Sequence, residues 1–135
     1  MTTFSNNERD FLQKAKVGRM AQLGDDGAPR VITLCHAFVD NFIYIPTQAT
    51  SWKTDQLRRF PQVSYVVDDY YEDWGKLCGV RVQGNVEILE TGSEYQKAKD
   101  SLLDKYPAQF KEMGWSDGES VVIKITATRV TNWGM

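Results

Sequence analysis

One segment of the sequence combines a strand end, several hydroxyl residues and a lysine, which together suit the binding of an anion. Residues 44–54 read YIPTQATSWKT, with Thr47, Thr50 and Ser51 ahead of Lys53. Backbone N–H groups at a helix start lack partners within the helix, and the helix dipole adds partial positive charge there. This arrangement predicts a phosphate site, and the alternative interpretation is a simple helix cap beside a solvated lysine.

The other reactive side chains do not form a catalytic or metal-binding pattern. His36 is the only histidine, and the two cysteines, Cys35 and Cys78, lie far apart without a C-x-x-C spacing. A structural zinc site takes four nitrogen or sulfur ligands at close spacing, so we expect no metal and two reduced thiols. His36 falls within a predicted strand, where we expect a packed or interface residue rather than a general base.

Composition limits the classes of function. The chain has 135 residues, of which 41% are hydrophobic and 25% charged, as expected for one globular domain over residues 1–135. The net charge of -2 does not supply the basic field of a nucleic-acid-binding protein. The N-terminus is polar and the apolar runs are short, which predicts neither a signal peptide nor a membrane partner. We therefore expect a cytoplasmic protein.

Hydrophobic periodicity and turn residues predict a mainly β fold of α+β type, with six strands and three helices. The predicted strands are 19–23, 30–39, 42–45, 62–68, 80–88 and 120–133, with Pro46 expected to end the third. Helices are predicted from Ser5 to Gly18, over 51–60 and over 93–106, the first and last beginning with capping boxes. Pro107 is expected to break the last helix, leaving 108–119 irregular. Sequential antiparallel strands without a βαβ rhythm favour a small barrel flanked by helices.

Several segments, in order and spacing, resemble the pyridoxamine 5'-phosphate oxidase-like family. They are RVITL at 30–34, FIY at 42–44, Thr47, Ser51, Lys53 and PQV at 61–63. The resemblance implies a six-stranded antiparallel split β-barrel that binds FMN. It also implies that Arg30, Ser51 and Lys53 contact the cofactor phosphate, while Thr47 and the backbone of Ile32 and Thr33 meet the ring system.

A closer resemblance, spanning nearly the whole chain, is to the subgroup of deazaflavin-dependent enzymes. It rests on VGRMA at 17–21, DW at 73–74, VRVQG at 80–84 and RVTNWG at 129–134. The implied cofactor is FMN or the 8-hydroxy-5-deazaflavin coenzyme, bound at the interface of a homodimer. Trp74 would then stack near the ring and Arg81 would reach a cofactor held by the other subunit. The alternatives are a core or interface tryptophan and a solvated arginine.

The sequence also departs from the oxidase branch of this family. Cys35 stands where that branch has a lysine, and Trp52, which we assign to the cofactor site, stands where it has an arginine. The long C-terminal segment that helps to bind pyridoxal is also missing after Met135. We therefore expect no true pyridoxamine phosphate oxidase activity. Loss of a bidentate arginine also predicts weaker binding of FMN, or binding of a different flavin-like molecule.

These observations favour a flavin- or deazaflavin-dependent oxidoreductase that transfers a hydride to or from a small-molecule substrate. The cofactor would supply the chemistry, and the protein would bind the phosphate and orient the ring. The alternative is a carrier or sensor that binds the cofactor without turnover, because a fold fixes no reaction and no catalytic residue is evident.

Overall fold

The computed structural model describes residues 2–135, which form seven strands, four α-helices and one short 3-10 turn. The strands are β1 (Gly18–Leu23), β2 (Pro29–Leu34), β3 (Ala37–Val39), β4 (Phe42–Gln48), β5 (Gln62–Asp69), β6 (Cys78–Leu89) and β7 (Ser120–Trp133). The helices are α1 (Asn6–Lys14), α2 (Trp52–Arg59), α3 (Ser93–Lys105) and α4 (Pro107–Met113), with the 3-10 turn at Trp74–Lys76. None of these helices is long and apolar enough to cross a membrane.

All seven strands belong to one antiparallel sheet in the order β2-β1-β5-β6-β7-β4-β3. The two edge strands, β2 and β3, follow each other in the chain, separated only by Cys35 and His36. Three Cα steps span at most about 11 Å. The sheet must therefore curl until its two edges meet at this point, although no backbone ladder joins them.

The predicted mainly β, antiparallel architecture is confirmed, but the prediction of a six-stranded barrel with three helices is wrong. The single strand predicted over 30–39 breaks at Cys35 and His36, where the chain leaves one edge of the sheet and enters the other. The seven-stranded ladder also stays open. Pro107, expected to leave an irregular segment behind it, instead occupies the first turn of α4. Proline is tolerated at that position because its missing N–H would have no partner in the helix.

Of the predicted helix caps and strand ends, some are confirmed and others are wrong. The capping box of Ser5 and Glu8 is present at the start of α1. Helix α3, by contrast, follows Gly92 and has no side-chain cap, so the second predicted capping box is wrong. Pro46 does not end its strand, which continues to Gln48. Beyond Tyr44, β4 pairs with β7 alone, and a proline is tolerated on a strand with one open side.

The interior of the curled sheet is filled by one apolar cluster, and a smaller cluster lies beneath α3. The first includes Leu12, Met20, Ile45, Tyr65 and Ile123, all essentially inaccessible to solvent, and the second includes Tyr44, Leu102, Tyr106 and Val122. Both clusters contain residues of β4 and β7, so these strands are covered on both faces. This packing fixes the ends of β2 and β4 relative to α3 and α4.

Candidate functional site

A cavity of about 960 Å³ lies where β2 and β4 end and where α3 passes into α4. One wall is formed by Thr33, Leu34 and Cys35, and another by the chain from Pro46 to Thr50. The third wall is largely aromatic, with Tyr106, Phe110 and Trp115. Ligand cavities in proteins measure about 300–1,000 Å³, so this one can hold a large cofactor.

The corner between β4 and α2 is organised around Thr54, which is fully buried. Its hydroxyl donates to the carbonyl of Gln48 at 2.6 Å and receives a hydrogen bond from Ser51 Oγ at 2.9 Å. Thr47 Oγ1 lies 3.2 Å from the same hydroxyl, and the backbone N–H of Thr54 donates to Ser51 Oγ. Each of these groups limits the motion of the others, so the corner is held rigidly. Sequence analysis missed Thr54, although its place three residues after the cap Ser51 could have pointed to it.

Lys53 follows this corner and is half-buried in the first turn of α2. Burial lowers the pKa of its ammonium group, an effect that the nearby Cys35 partly opposes. Within residues 2–135 the Lys53 side chain forms neither an ion pair nor a hydrogen bond, whereas its backbone carbonyl accepts from Gln22 Nε2 at 3.2 Å. A cation that is partly desolvated and unpaired is available to an incoming anion.

Cys35 lies on the cavity wall, where the ammonium groups of Lys105 and Lys53 both act on its thiol. Burial raises the pKa of its thiol, and its own backbone N–H, Lys105 and Lys53 counteract part of that rise. The net effect keeps the thiol protonated near neutral pH. Cys35 is therefore an apolar wall residue in this state and not a nucleophile.

The aromatic wall is also held by side-chain hydrogen bonds. Trp115 Nε1 donates to the hydroxyl of Tyr95 at 2.9 Å, and that hydroxyl donates to Asp117 at 2.6 Å. The Phe110 and Trp115 rings meet edge to face, with centroids 5.4 Å apart. The expectation of an irregular segment over 108–119 gave no hint of this wall, although the four-residue spacing of Tyr106 and Phe110 was an available signal of a helical face.

The cavity brings together some of the residues predicted to bind a cofactor. Thr33 and Thr47 line it, and Ser51 and Lys53 continue the chain directly from its wall at Thr50. Ile32 precedes the lining residue Thr33 on β2 and is half-buried. Ile32, Ser51 and Lys53 are not themselves part of the lining.

The other four predicted residues also lie outside the cavity lining. Arg30 pairs with Asp26 at 3.0 Å, and its guanidinium lies 4.5 Å from the ring centre of the exposed Trp52. Trp74 is 73% exposed, and Arg81 is exposed, 5.6 Å from the ring centre of Trp133. The assignment of all nine residues to a cofactor site stays a prediction.

His36 is fully buried, and both of its ring nitrogens are engaged. Nε2 donates to the carbonyl of Leu12 at 2.8 Å, so Nδ1 must accept from the Tyr65 hydroxyl at 2.7 Å. This core position agrees with the expectation that His36 is a packed residue. Within residues 2–135, no group of three His, Cys, Asp or Glu side chains could hold a metal ion.

Comparisons with known proteins give one family and several related structures. The family model described as pyridoxamine 5'-phosphate oxidase matches residues 4–134. The conserved hypothetical protein Rv2991 from Mycobacterium tuberculosis is 29% identical, with a TM-score of 0.83 over 97% of this chain and 85% of the other. An FAD-binding protein from Mesorhizobium loti is 26% identical, with a TM-score of 0.74 over 97% and 93% of the two chains.

A structure named F420 reductase shares the fold, with 22% identity and a TM-score of 0.74 over 95% of this chain and 98% of the other. No curated protein matches the chain at a significant level.

Proposed function

Since the chain belongs to the pyridoxamine 5'-phosphate oxidase family, we propose that it binds a flavin-type cofactor in the cavity between β2, β4 and α4. The observation that carries this proposal is the unpaired, half-buried ammonium of Lys53 beside a rigid hydroxyl-rich corner. A phosphate at this corner would neutralise that charge and accept hydrogen bonds from Lys53 and neighbouring hydroxyl groups. The FAD-binding protein from Mesorhizobium loti and the F420 reductase give two kinds of ring, flavin and deazaflavin, to test.

The residues present fit such a group in size and polarity. The phosphate would lie near Ser51 and Lys53, and the ring would lie between Thr33, Thr47 and the aromatic wall. Phe110 and Trp115 would exclude water from the ring, which strengthens electrostatic interactions inside the site. When bound, a flavin or deazaflavin supplies hydride-transfer chemistry.

Oxidoreductase activity is the second part of the proposal. The titratable side chains lining the cavity are Lys16, Cys35, Tyr106 and Glu119. Burial raises the pKa of Tyr106 to about 12 despite a hydrogen bond with the His36 backbone. Its hydroxyl is already bonded to the carbonyls of Lys16 and His36, so it is not free to exchange a proton with substrate. Hydride transfer that needs no proton from the protein suits this lining, as does the alternative of a carrier without turnover.

A homodimer with a cofactor site at each interface is the third part of the proposal. It is supported by large apolar side chains on the outer surface, including Val31 on edge strand β2 and Trp74, which are 70% and 73% exposed. Burial of these residues against a second copy would also bring Trp74 and Arg81 toward the partner's site. Sedimentation equilibrium should give the mass of two chains, and a monomer at micromolar concentration would refute this part.

Cofactor titrations of the purified protein test the main proposal. FMN, FAD and the 8-hydroxy-5-deazaflavin coenzyme are added separately, and binding is followed by fluorescence and absorbance. Haemin serves as a planar ligand of another class. We expect Lys53→Met to weaken binding of the preferred flavin by about 10- to 150-fold, the equivalent of about 1.5–3 kcal/mol for a hydrogen bond to a charged group.

Two further variants control for general effects. Lys53→Arg should retain part of the affinity, and Lys14→Met removes an exposed lysine at the end of α1 and should leave it unchanged. Equal affinity of wild-type protein and Lys53→Met for every flavin would contradict the assigned phosphate site. Reduced cofactor that never passes its hydride to any acceptor would favour the carrier.

A further inference from the structure

A second lysine of this molecule is more isolated than Lys53. Lys105 is the last residue of α3, and its Nζ is shielded from solvent without any hydrogen-bond partner. Among the buried side-chain nitrogen and oxygen atoms of residues 2–135, only Gln22 Oε1 shares this property. A buried ammonium without an acceptor is unfavourable, because its lost hydration is not replaced.

The surroundings of Lys105 add positive charge rather than compensate it. The ammonium of Lys16 donates to the backbone carbonyl of Lys105 at 3.0 Å. Both ammonium groups lie against the Tyr106 ring, at 5.1 Å for Lys16 and 5.6 Å for Lys105 from its centre. Burial, followed by repulsion from Lys16, lowers the pKa of Lys105 to about 8, while Cys35 opposes the change. Neither lysine forms an ion pair within residues 2–135.

A purely structural role does not account for this arrangement. A lysine at the end of a helix can stabilise the last carbonyl groups, but the Lys105 ammonium donates to none of them. The face of Tyr106 attracts a cation, yet it replaces only part of the lost hydration. The ionisable groups that interact with the Lys105 ammonium include Lys16, Cys35, His36 and Tyr106, and none of these four carries a negative charge at neutral pH.

We propose that Lys105 and Lys16 form a binding site for the carboxylate of the small-molecule substrate, because Lys16 lines the cavity beside Cys35 and Tyr106 and the Lys105 ammonium lies behind this corner, against the Tyr106 ring. A carboxylate suits the site because it is a small anion whose two oxygens can each accept a hydrogen bond from one ammonium group, and neither ammonium has an ion-pair partner within residues 2–135. The inference rests on the proposed function, since it assumes that the cofactor phosphate occupies the other corner, at Lys53. The substrate is then a small organic acid.

Acetate titration of the cofactor-free protein tests this site. Binding is followed at constant ionic strength, against chloride, by the NMR signals of the His36 ring and of 13C-labelled lysine side chains. We expect acetate to raise the pKa of Lys105. We also expect the half-saturating acetate concentration to rise about tenfold or more in Lys105→Met, which loses a hydrogen bond to a charged group.

Lys16→Met should weaken acetate binding to a similar extent, and it replaces Lys105→Met in the experiment if that variant does not fold. Lys14→Met is the matched control. A Lys105 signal that responds identically to acetate and chloride would overturn the proposal.

A second acetate titration, of the protein with FMN bound, shows whether the two lysines belong to a separate substrate site or to the cofactor site. Acetate that binds the FMN complex as tightly as the free protein supports a separate substrate site. Competition between acetate and FMN would overturn the proposal, because the two lysines would then belong to the cofactor site. Failure of every flavin to bind overturns the proposed function, whereas the titration of cofactor-free protein still decides whether the anion site exists.

Discussion

Mild acid should destabilise this protein through one buried imidazole. Desolvation and, secondarily, the charge of Lys105 lower the pKa of His36 from 6.5 to about 4, although the Leu12 carbonyl opposes this effect. Protonation of Nδ1 would also break the hydrogen bond that it accepts from the Tyr65 hydroxyl. The folded protein therefore keeps His36 neutral where the unfolded chain is protonated.

The magnitude follows from linkage between protonation and folding. Between pH 6.5 and about 4 the unfolded state binds more protons than the folded state, so the free energy of unfolding falls as the pH falls. One pKa unit is worth about 1.4 kcal/mol, so the full contribution of His36 is about 3 kcal/mol. It is fully present above pH 6.5 and is lost by about pH 4. The pKa of Glu8 is lowered despite its burial, so Glu8 adds a further loss of unfolding free energy only when the pH falls below the ordinary glutamate pKa of 4.5.

Urea denaturation at a series of pH values measures this loss, with His36→Asn as the comparison. The variant starts from lower stability because two buried hydrogen bonds change, but its pH dependence between 6.5 and 4.5 should be nearly flat. If the variant does not fold, NMR titration of the single histidine gives the pKa directly. Parallel loss of stability in both proteins, or a His36 pKa near 6.5, would refute the reasoning.

Three further substitutions probe the core and the cavity. Gly18→Ala should cost about 2–4 kcal/mol of unfolding free energy, because a Cβ there would lie 2.2 Å from Tyr65 ring and hydroxyl atoms and displace the partner of His36. Thr54→Val should cost about 2–3 kcal/mol, since it leaves the Gln48 carbonyl and Ser51 hydroxyl without their buried partner, and should weaken flavin binding although Lys53 remains. Lys105→Met should raise the pKa of His36, measured by NMR, because it removes a nearby positive charge.

Each of these expectations has a clear contrary result. Gly75→Ala, at an exposed glycine with only the Asp73 side chain nearby, is the control for Gly18→Ala, and equal stability of the two variants would contradict the packing argument. Unchanged flavin affinity in Thr54→Val would show that the corner around Thr54 does not contribute to cofactor binding. An unchanged His36 pKa in Lys105→Met would show that the charge of Lys105 does not contribute to the lowered pKa of His36.

Much of the fold could be predicted because its signals are local. The alternation from Val80 to Ile88 and the turn at Asp40 and Asn41, both of which adopt positive φ, each depend on a few adjacent residues. Pro107 misled the prediction because proline ends one helix and begins another with equal ease. The choice depends on where the following chain can pack, which no local pattern contains.

The candidate site could be predicted only where its residues are consecutive. Thr47, Ser51 and Lys53 lie within a single strand-to-helix segment, so their spacing indicated a shared role. The contact of Lys16 with Lys105 joins residues 89 positions apart and exists only because α3 packs beside the entry to β1. The absence of an acceptor for a buried ammonium is likewise a property of the folded chain and leaves no trace in the sequence.

Edge strand β2, which contributes Thr33 and Leu34 to the cavity wall, shares no backbone ladder with the other edge strand, β3. Parting the two edges there would break no backbone ladder, and the central strand β6, paired on both sides, would stay intact. Amide protons on the free side of β2 should therefore exchange with solvent far faster than those of β6. Local opening of this kind would give a bulky planar molecule a route past Leu34 and Cys35 without global unfolding.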